Sequence, residues 1–171
     1  MAADKFLVVG ASSFYGSNFL RLLKTKGAEV STLSLRNWGP NEIGEPEYVV
    51  NFAAANIVAE SWEKPAEYVL VNVVAHTELI EVLRKKKIKK YVHVSTPEVY
   101  GSVNAWVKED QVMNPSTPYG VSKAATDMML LAYYRAYDFP AVITRTANIY
   151  GPGQPAYRLI TKALDYKRRG E

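Results

Sequence analysis

The chain has 171 residues, 48% of them hydrophobic and 22% charged, and a formal net charge of +4. Length and balance fit one soluble globular domain, 1–171. It has no cysteine, which excludes disulfides, thiolate metal sites and cysteine catalysis. No apolar run reaches the ~18 residues of a membrane span, and the start lacks an export signal, so the expected location is the cytoplasm.

Residues 6–9 are a short apolar run ending at Gly10 and predict a buried strand. Gly10-Ala11-Ser12-Ser13-Phe14-Tyr15-Gly16 follows. A glycine turn between strand and helix sets backbone N–H groups and a helix N-terminus at a phosphate, although an ordinary tight turn has the same pattern. Helical spacing runs over 17–27, with Gly27 as the stop. Further strands are expected at 30–35, 48–52, 91–95 and 141–144, and long helices at 66–86 and 119–137. Residues 39–46 and 115–118 are the clearest loops. Strands alternating with helices imply a doubly wound parallel sheet.

The two long helices are apolar almost all round. In the first, Val69, Val73, Ile80 and Leu83 form one stripe, and Tyr68, Val71, Ala75, Leu79 and Val82 another. In the second, Ala124, Met128, Leu131 and Ala132 form one, and Ala125, Met129 and Ala136 another. A helix on a sheet needs one apolar face. The surplus predicts a homodimer through 66–86 and 119–137, the alternative being a roof from the same chain. Positive charge concentrates in Lys85-Lys86-Lys87-Ile88-Lys89-Lys90 and in Lys167-Arg168-Arg169. The first run falls where a helix ends, where lysines complement the helix dipole. No nucleic-acid motif accompanies either run, so a nucleic-acid partner is not expected.

The segments after the strands carry the chemistry. In Tyr119-Gly120-Val121-Ser122-Lys123, a phenol and an ammonium stand one helical turn apart. An ammonium near the phenol favours its anion and lowers its pKa. Such a Tyr exchanges a proton with a substrate hydroxyl while a nicotinamide takes or gives hydride. Ser95-Thr96-Pro97-Glu98 sets a hydroxyl and a carboxylate at the carboxyl end of the sheet. Phe52, Ala53 and Ala54 follow the third strand, and these small residues let a cofactor lie close. Arg145 to Gly153 follows the fifth.

On these segments the chain resembles the NAD-dependent epimerase/dehydratase family, the extended short-chain dehydrogenases with a Rossmann-like sheet. From Tyr91 to Gly153 it is most similar to nucleoside-diphosphate-glucose 4,6-dehydratases. The resemblance implies an enzyme that oxidises a nucleotide-linked sugar transiently at C4 with NAD or NADP. Thr96 would hydrogen-bond the sugar 4-hydroxyl, Tyr119 would be the acid/base, and Lys123 its activator and ribose ligand. Glu98 matches the base at sugar C5, and Asn148 a residue near the sugar diphosphate. Gly10, Ser12, Ser13, Phe14, Tyr15 and Gly16 would hold the cofactor with Phe52, Ala53, Ala54, Asn72 and Ser95. No metal is implied.

The chain departs from the family pattern in four ways. Ser13 stands where the middle glycine of the phosphate loop is usual; its Cβ crowds the pyrophosphate, though its hydroxyl offers a bond. Ser34, with Arg36 near it, replaces the acid that ends the second strand. A carboxylate there binds the ribose 2′-hydroxyl of NAD, whereas Ser plus Arg suits the 2′-phosphate of NADP; Arg36 would equally serve as a surface charge. Pro97 replaces the Asp that protonates the leaving C6 hydroxyl in the dehydratases. Finally, the fold is expected to be shortened: one strand–helix unit is missing between the second and third strands, and most of the C-terminal substrate domain is missing too. Twelve residues span ~40 Å extended, enough to cross two strand spacings as a loop. The competing expectation is a catalytically idle family member that serves as a binding or assembly subunit.

Overall fold

The computed structural model describes residues 3–170. Its centre is a five-stranded, wholly parallel sheet of β1 (Lys5–Val9), β2 (Glu29–Leu33), β3 (Tyr48–Asn51), β4 (Lys90–Ser95) and β5 (Ala141–Arg145), in the order β2-β1-β3-β4-β5. The chain leaves β1 on one side and returns on the other at β3. That reversal opens a crevice over the strand tips. Five of the expected elements are these strands, shifted at their ends by one or two residues. The order is that of a Rossmann-like sheet without a strand outside β2.

Helix α1 (Phe14–Thr25) covers β1 and β2 on one face, where Phe19 meets Phe6 and Phe52. Its start lies three residues earlier than the spacing predicts, because Ser13 caps it. The Ser13 hydroxyl accepts from the Gly16 N–H at 3.0 Å and donates to the Gly10 carbonyl at 2.7 Å. A serine cap satisfies one of the orphan N–H groups of a first turn. The expected bond from Ser13 to a phosphate is therefore replaced by a structural one. Ser13 keeps an ordinary extended backbone (φ −68°), so this position does not need glycine. Gly10 does: its φ is +76°, and a Cβ there would lie 2.7 Å from the Ala53 nitrogen.

The other face carries α2 (Val58–Glu63), a longer helix, and α5 (Pro118–Tyr137). The longer helix runs as α3 (Pro65–Val69), a π turn (Leu70–Val74) and α4 (Ala75–Leu83). The expected single α-helix over 66–86 is corrected twice. It ends at Leu83, and it contains the π turn. Tyr68, Asn72, His76, Ile80 and Leu83 all face inward, near four-residue spacing. That spacing drifts round a 3.6-residue helix, and the wider turn takes up the drift. Val69 and Val74 are left outside. Helix α5 (Pro118–Tyr137) likewise turns Tyr119, Ser122, Lys123, Thr126, Asp127 and Leu130 inward. Of the stripe Ala124, Met128, Leu131 and Ala132, Ala124 is buried while Met128 and Leu131 are exposed, because much of the buried face is polar.

The core is Leu7, Val9, Leu33, Val49, Leu79, Ile80, Leu83, Tyr91, Leu130 and Phe139, with Ile43 among them. Ile43 comes from the loop that connects β2 to β3 without an α-helix. Leu35 and Trp38 pack beside it. The lysine run anchors the same loop: Lys86 pairs with Glu45 at 2.8 Å and Lys89 with Glu47 at 2.6 Å. Helix α6 (Leu159–Arg169), not anticipated from the sequence, buries none of its residues, and the second basic cluster is its last turn. No helix among the described residues is long and apolar enough to cross a membrane.

A Cβ on Gly16 would sit 2.3 Å from the Gly10 carbonyl oxygen, where α1 presses on the turn. Gly16→Ala is expected to cost about 1–3 kcal/mol by overpacking. Gly39→Ala, with only Glu42 Oε1 within 4 Å and a negative φ, should stay within about 0.5 kcal/mol of wild type. Urea unfolding of the two variants checks the contrast.

Candidate active site

The crevice over the strand tips has a volume of about 910 Å³. It is large enough for a cofactor-sized ligand. One wall is the turn Gly10 to Tyr15 and the N-terminus of α1; the floor is Phe52-Ala53-Ala54-Ala55. Ser34 and Arg36 stand on the rim beyond β2, and Gln154, Tyr157 and Arg158 close the other side. The expected cofactor residues of the turn from Gly10 to Tyr15, of the β3 loop and of the β2 end thus meet in one cavity. Five others, Tyr119 among them, do not line it: Gly16 is buried in the first turn of α1, Asn72 and Ser95 are buried behind the cavity, Tyr119 is buried in the first turn of its helix, and Lys123 lies beneath.

Asn72 acts as a clamp. Its Oδ1 accepts from the Ala55 N–H at 2.8 Å, and its Nδ2 donates to the Ala55 carbonyl at 2.9 Å and to Ser122 Oγ at 2.9 Å. Ser122 in turn donates to the Tyr119 carbonyl at 2.7 Å, and the Thr126 hydroxyl donates to the Asn72 carbonyl. One buried amide therefore sets the crevice floor relative to the helix that carries Tyr119.

Thr96 caps a short 3-10 turn (Pro97–Tyr100), accepting from the Glu98 N–H at 3.3 Å. Its hydroxyl also lies near the Tyr119 phenol and favours the phenolate, but burial acts more strongly and raises the pKa of Tyr119 above its usual 10. Glu98 and Tyr15 push it the same way, and Arg158 opposes them. The expectation that Lys123 lowers this pKa is corrected: Lys123 turns under the helix, donating to the Val94 carbonyl at 3.0 Å and meeting His93 Nε2 at 3.1 Å. Glu98 is exposed beside Thr96. Asn148 is exposed in the loop after β5 and does not line the crevice.

Beneath Tyr119 lies a layer of which sequence reasoning singled out only Lys123. His76, His93, Lys123 and Asp127 are all buried. Arg145 Nε donates to Asp127 at 2.9 Å and Arg145 Nη1 to the Tyr100 hydroxyl at 2.5 Å. Burial lowers the Lys123 pKa to about 8, with Asp127 pulling it back. Burial raises the pKa of Asp127, opposed first by Arg145 and then by the nearby Ser95 hydroxyl. His93 Nδ1, Ser95 Oγ and Asp127 Oδ1 have no hydrogen bond of good geometry. The signal in the sequence is polar residues four apart on helices otherwise apolar: Asn72 and His76, Ser122 and Thr126, Lys123 and Asp127. Among the described residues, no group of three or more His, Cys, Asp or Glu is placed to hold a metal.

The sequence profile of the NAD dependent epimerase/dehydratase family matches residues 6–169. The chain belongs to that family. A dTDP-glucose 4,6-dehydratase of Streptomyces niveus is 31% identical over 192 aligned positions, covering 91% of this chain and 57% of the relative. The crystal structure of a dTDP-glucose 4,6-dehydratase from Streptomyces venezuelae, with NAD and TYD bound, superposes with a TM-score of 0.83 at 28% identity, over 96% of this chain and 62% of that one. The UDP-glucuronic acid 4-epimerase of Bacillus cereus, in complex with UDP-glucuronic acid and NAD, superposes at 0.88 with 26% identity, over 98% and 64%. The chain therefore spans less than two thirds of the length of these relatives.

His76 places Nδ1 2.9 Å from the Val71 carbonyl and Nε2 3.0 Å from the Ala53 carbonyl. Burial, then the charge of Lys123, lower its pKa to about 4, and burial lowers that of His93 as well. Both fold neutral and gain a proton more readily unfolded. Stability is complete above the unfolded value of about 6.5 and falls as pH drops towards 4, by roughly 3 kcal/mol for His76 alone. Asp127, with its raised pKa, works in the opposite direction. Since the chain has only these two histidines, His76→Gln should flatten the slope of unfolding free energy between pH 6.5 and 4. An unchanged slope would assign it elsewhere.

Proposed function

We propose that this chain is the dinucleotide-binding part of an NAD- or NADP-dependent nucleotide-sugar enzyme of the epimerase/dehydratase type, acting through Thr96, Tyr119 and Lys123 in the cytoplasm. One observation carries the reading. Tyr119 is not among the residues lining the crevice, but its phenol lies near the Thr96 hydroxyl and within electrostatic reach of Tyr15 and Arg158, both of which line it. The crevice residues fit a dinucleotide: Gly10 meets Ala53 where a Cβ would collide, and after Phe52 the floor is three alanines.

When bound, the nicotinamide supplies a hydride acceptor. Thr96 orients the sugar 4-hydroxyl, and Tyr119 exchanges its proton. At neutral pH the buried phenol is protonated, so it is ready to donate to a 4-ketone and must first ionise to act as a base. Lys123 has three N–H donors, and its two observed contacts leave one for the ribose. Glu98, exposed beside Thr96, suits proton removal at C5, and Asn148 the substrate diphosphate. Pro97 offers no proton to a leaving C6 hydroxyl, which favours epimerase or decarboxylase chemistry over 4,6-dehydration.

The inward ammonium of Lys123 favours a second reading, a catalytically idle family member serving as a binding or assembly subunit. Turnover separates the two. With a nucleotide sugar and either oxidised cofactor, a rapid-mixing trace should show reduced nicotinamide forming transiently before the hydride returns, faster as pH rises above neutral, and Tyr119→Phe should slow its formation by about 10²–10⁴-fold. A protein that binds cofactor and sugar yet shows the same trace with and without Tyr119 supports the idle subunit.

The same reading includes a homodimer. Val69, Leu70 and Val74 on the long helix and Val121 and Met128 on α5 are exposed, Leu70 at 59% and Met128 at 54%. Helices α3 and α5 pack side by side, so these side chains suit a shared apolar face. Sedimentation should give a dimer that Leu70→Glu with Met128→Glu converts to monomer; a wild-type monomer at high micromolar concentration removes the proposal.

A further inference from the structure

Strand β4 turns Tyr91, His93 and Ser95 to one side, by the alternation of a strand. The imidazole of His93 is fully buried and wedged there. The Tyr91 ring lies parallel to it at 6.4 Å between centroids, and the His76 ring of α4 stands edge-on at 5.4 Å. Tyr91 is itself fixed, its hydroxyl accepting from Asn51 Nδ2 at 2.8 Å. From α5, Lys123 Nζ comes to 3.1 Å from His93 Nε2 and donates to the adjacent Val94 carbonyl at 3.0 Å.

An ammonium has three donors and no acceptor. His93 Nε2 must therefore accept, and the imidazole proton must sit on Nδ1. A doubly protonated ring would set a donor against a donor. Asp127 does not alter this: its Oδ1 is 3.9 Å from Nε2, beyond a hydrogen bond, and its Oδ2 takes Arg145 at 2.9 Å. The strand partners of His93 on β3 and β5 are uncharged, Asn51 and Ile143. Burial, then the charges of Lys123 and His76, hold the His93 pKa well below its usual value, so the ring is neutral. This tautomer is costly, because Nδ1 has no hydrogen-bond partner. A leucine in the same place would avoid that cost but could not accept from the ammonium. No carboxylate pairs with Lys123 among the described residues; Asp127 pulls on it through space, and its two acceptors are neutral.

We propose that His93 is a positioning residue: as the neutral tautomer protonated on Nδ1, it accepts the Lys123 ammonium at Nε2 and fixes where that ammonium stands beneath Tyr119. The proposal rests on the reading of Lys123 as part of a nucleotide-sugar site. His93 and Val94 occupy two of the N–H groups, so the third has one direction left rather than a cone of them. Without the imidazole the ammonium keeps one carbonyl, and a buried cation short of an acceptor loses its proton or swings away. Either change removes the donor offered to the ribose. His93 does not line the crevice, so it acts on the reaction only through Lys123.

The test is nitrogen NMR of the whole chain, followed by calorimetry. In the ligand-free protein near neutral pH the His93 ring should show a protonated Nδ1 and a bare Nε2, a reading that holds even if a His93 variant fails to fold; His76→Gln assigns the signals. Lys123 Nζ, assigned with Lys123→Met, should titrate about one pH unit lower or more in His93→Leu. His93→Gln, whose side-chain oxygen reaches the place of Nε2, should restore the wild-type titration. Titration with NAD+ and NADP+ should show binding weakened about tenfold in His93→Leu and recovered in His93→Gln. A proton on Nε2, a Lys123 titration that His93→Leu leaves unchanged, or equal losses in the Leu and Gln variants overturns the positioning while leaving the dinucleotide site standing. A wild-type chain that binds neither cofactor at millimolar concentration overturns the site, and the role of His93 with it.

Discussion

The contact on which the site depends is the buried amide of Asn72. It is fully enclosed, yet three of its hydrogen bonds go to the floor of the crevice and to Ser122 on α5. A buried amide left without partners costs more than a hydrogen bond contributes, so the floor, the π turn and the helix carrying Tyr119 are held in one arrangement. Apolar packing of the same volume would join these pieces without fixing their register.

Around this clamp the inward face of α5 is polar for two turns. Lys123, Asp127 and Arg145 form a chain of charges under the phenol, flanked by two neutral histidines. Burying charges without full pairing destabilises a fold, and three polar atoms here lack a good partner. Such a layer is costly in a small domain, and buried, perturbed groups gather where proteins do chemistry more often than where they only pack. The same burial keeps Tyr119 protonated at rest, so Thr96 and the mouth of the crevice must supply whatever shifts it.

The parallel sheet is legible in the sequence because strands flanked by glycine and polar turns read as buried runs, and because each site segment follows a strand tip. The start of α1 is not, since Ser13 looks like a replaced glycine rather than a cap, and a cap is recognised only when its hydroxyl is seen to meet Gly16. Periodicity recovers only part of the inward faces of the two long helices. Tyr68, Leu79, Ile80, Leu83 and Ala124 of the apolar stripes are buried, but Asn72, His76, Lys123 and Asp127 share that side with them. Linear spacing does not reveal a π turn, and it does not reveal that Lys123 reaches beneath its own helix rather than towards Tyr119. The loop joining β2 and β3 is feasible by length alone; its buried Ile43 and its two lysine clamps emerge only in three dimensions.

Strand β5 ends the sheet on one side, and Val142 on it is 42% exposed. Its outer row of N–H and C=O groups has no neighbouring strand among the described residues. An uncapped ladder with apolar side chains recruits any extended segment that comes near, including the β5 of another molecule. Purified on its own, the domain would then be prone to sheet-to-sheet clumping along this border, and lysine at position 142 would act as a gatekeeper against it.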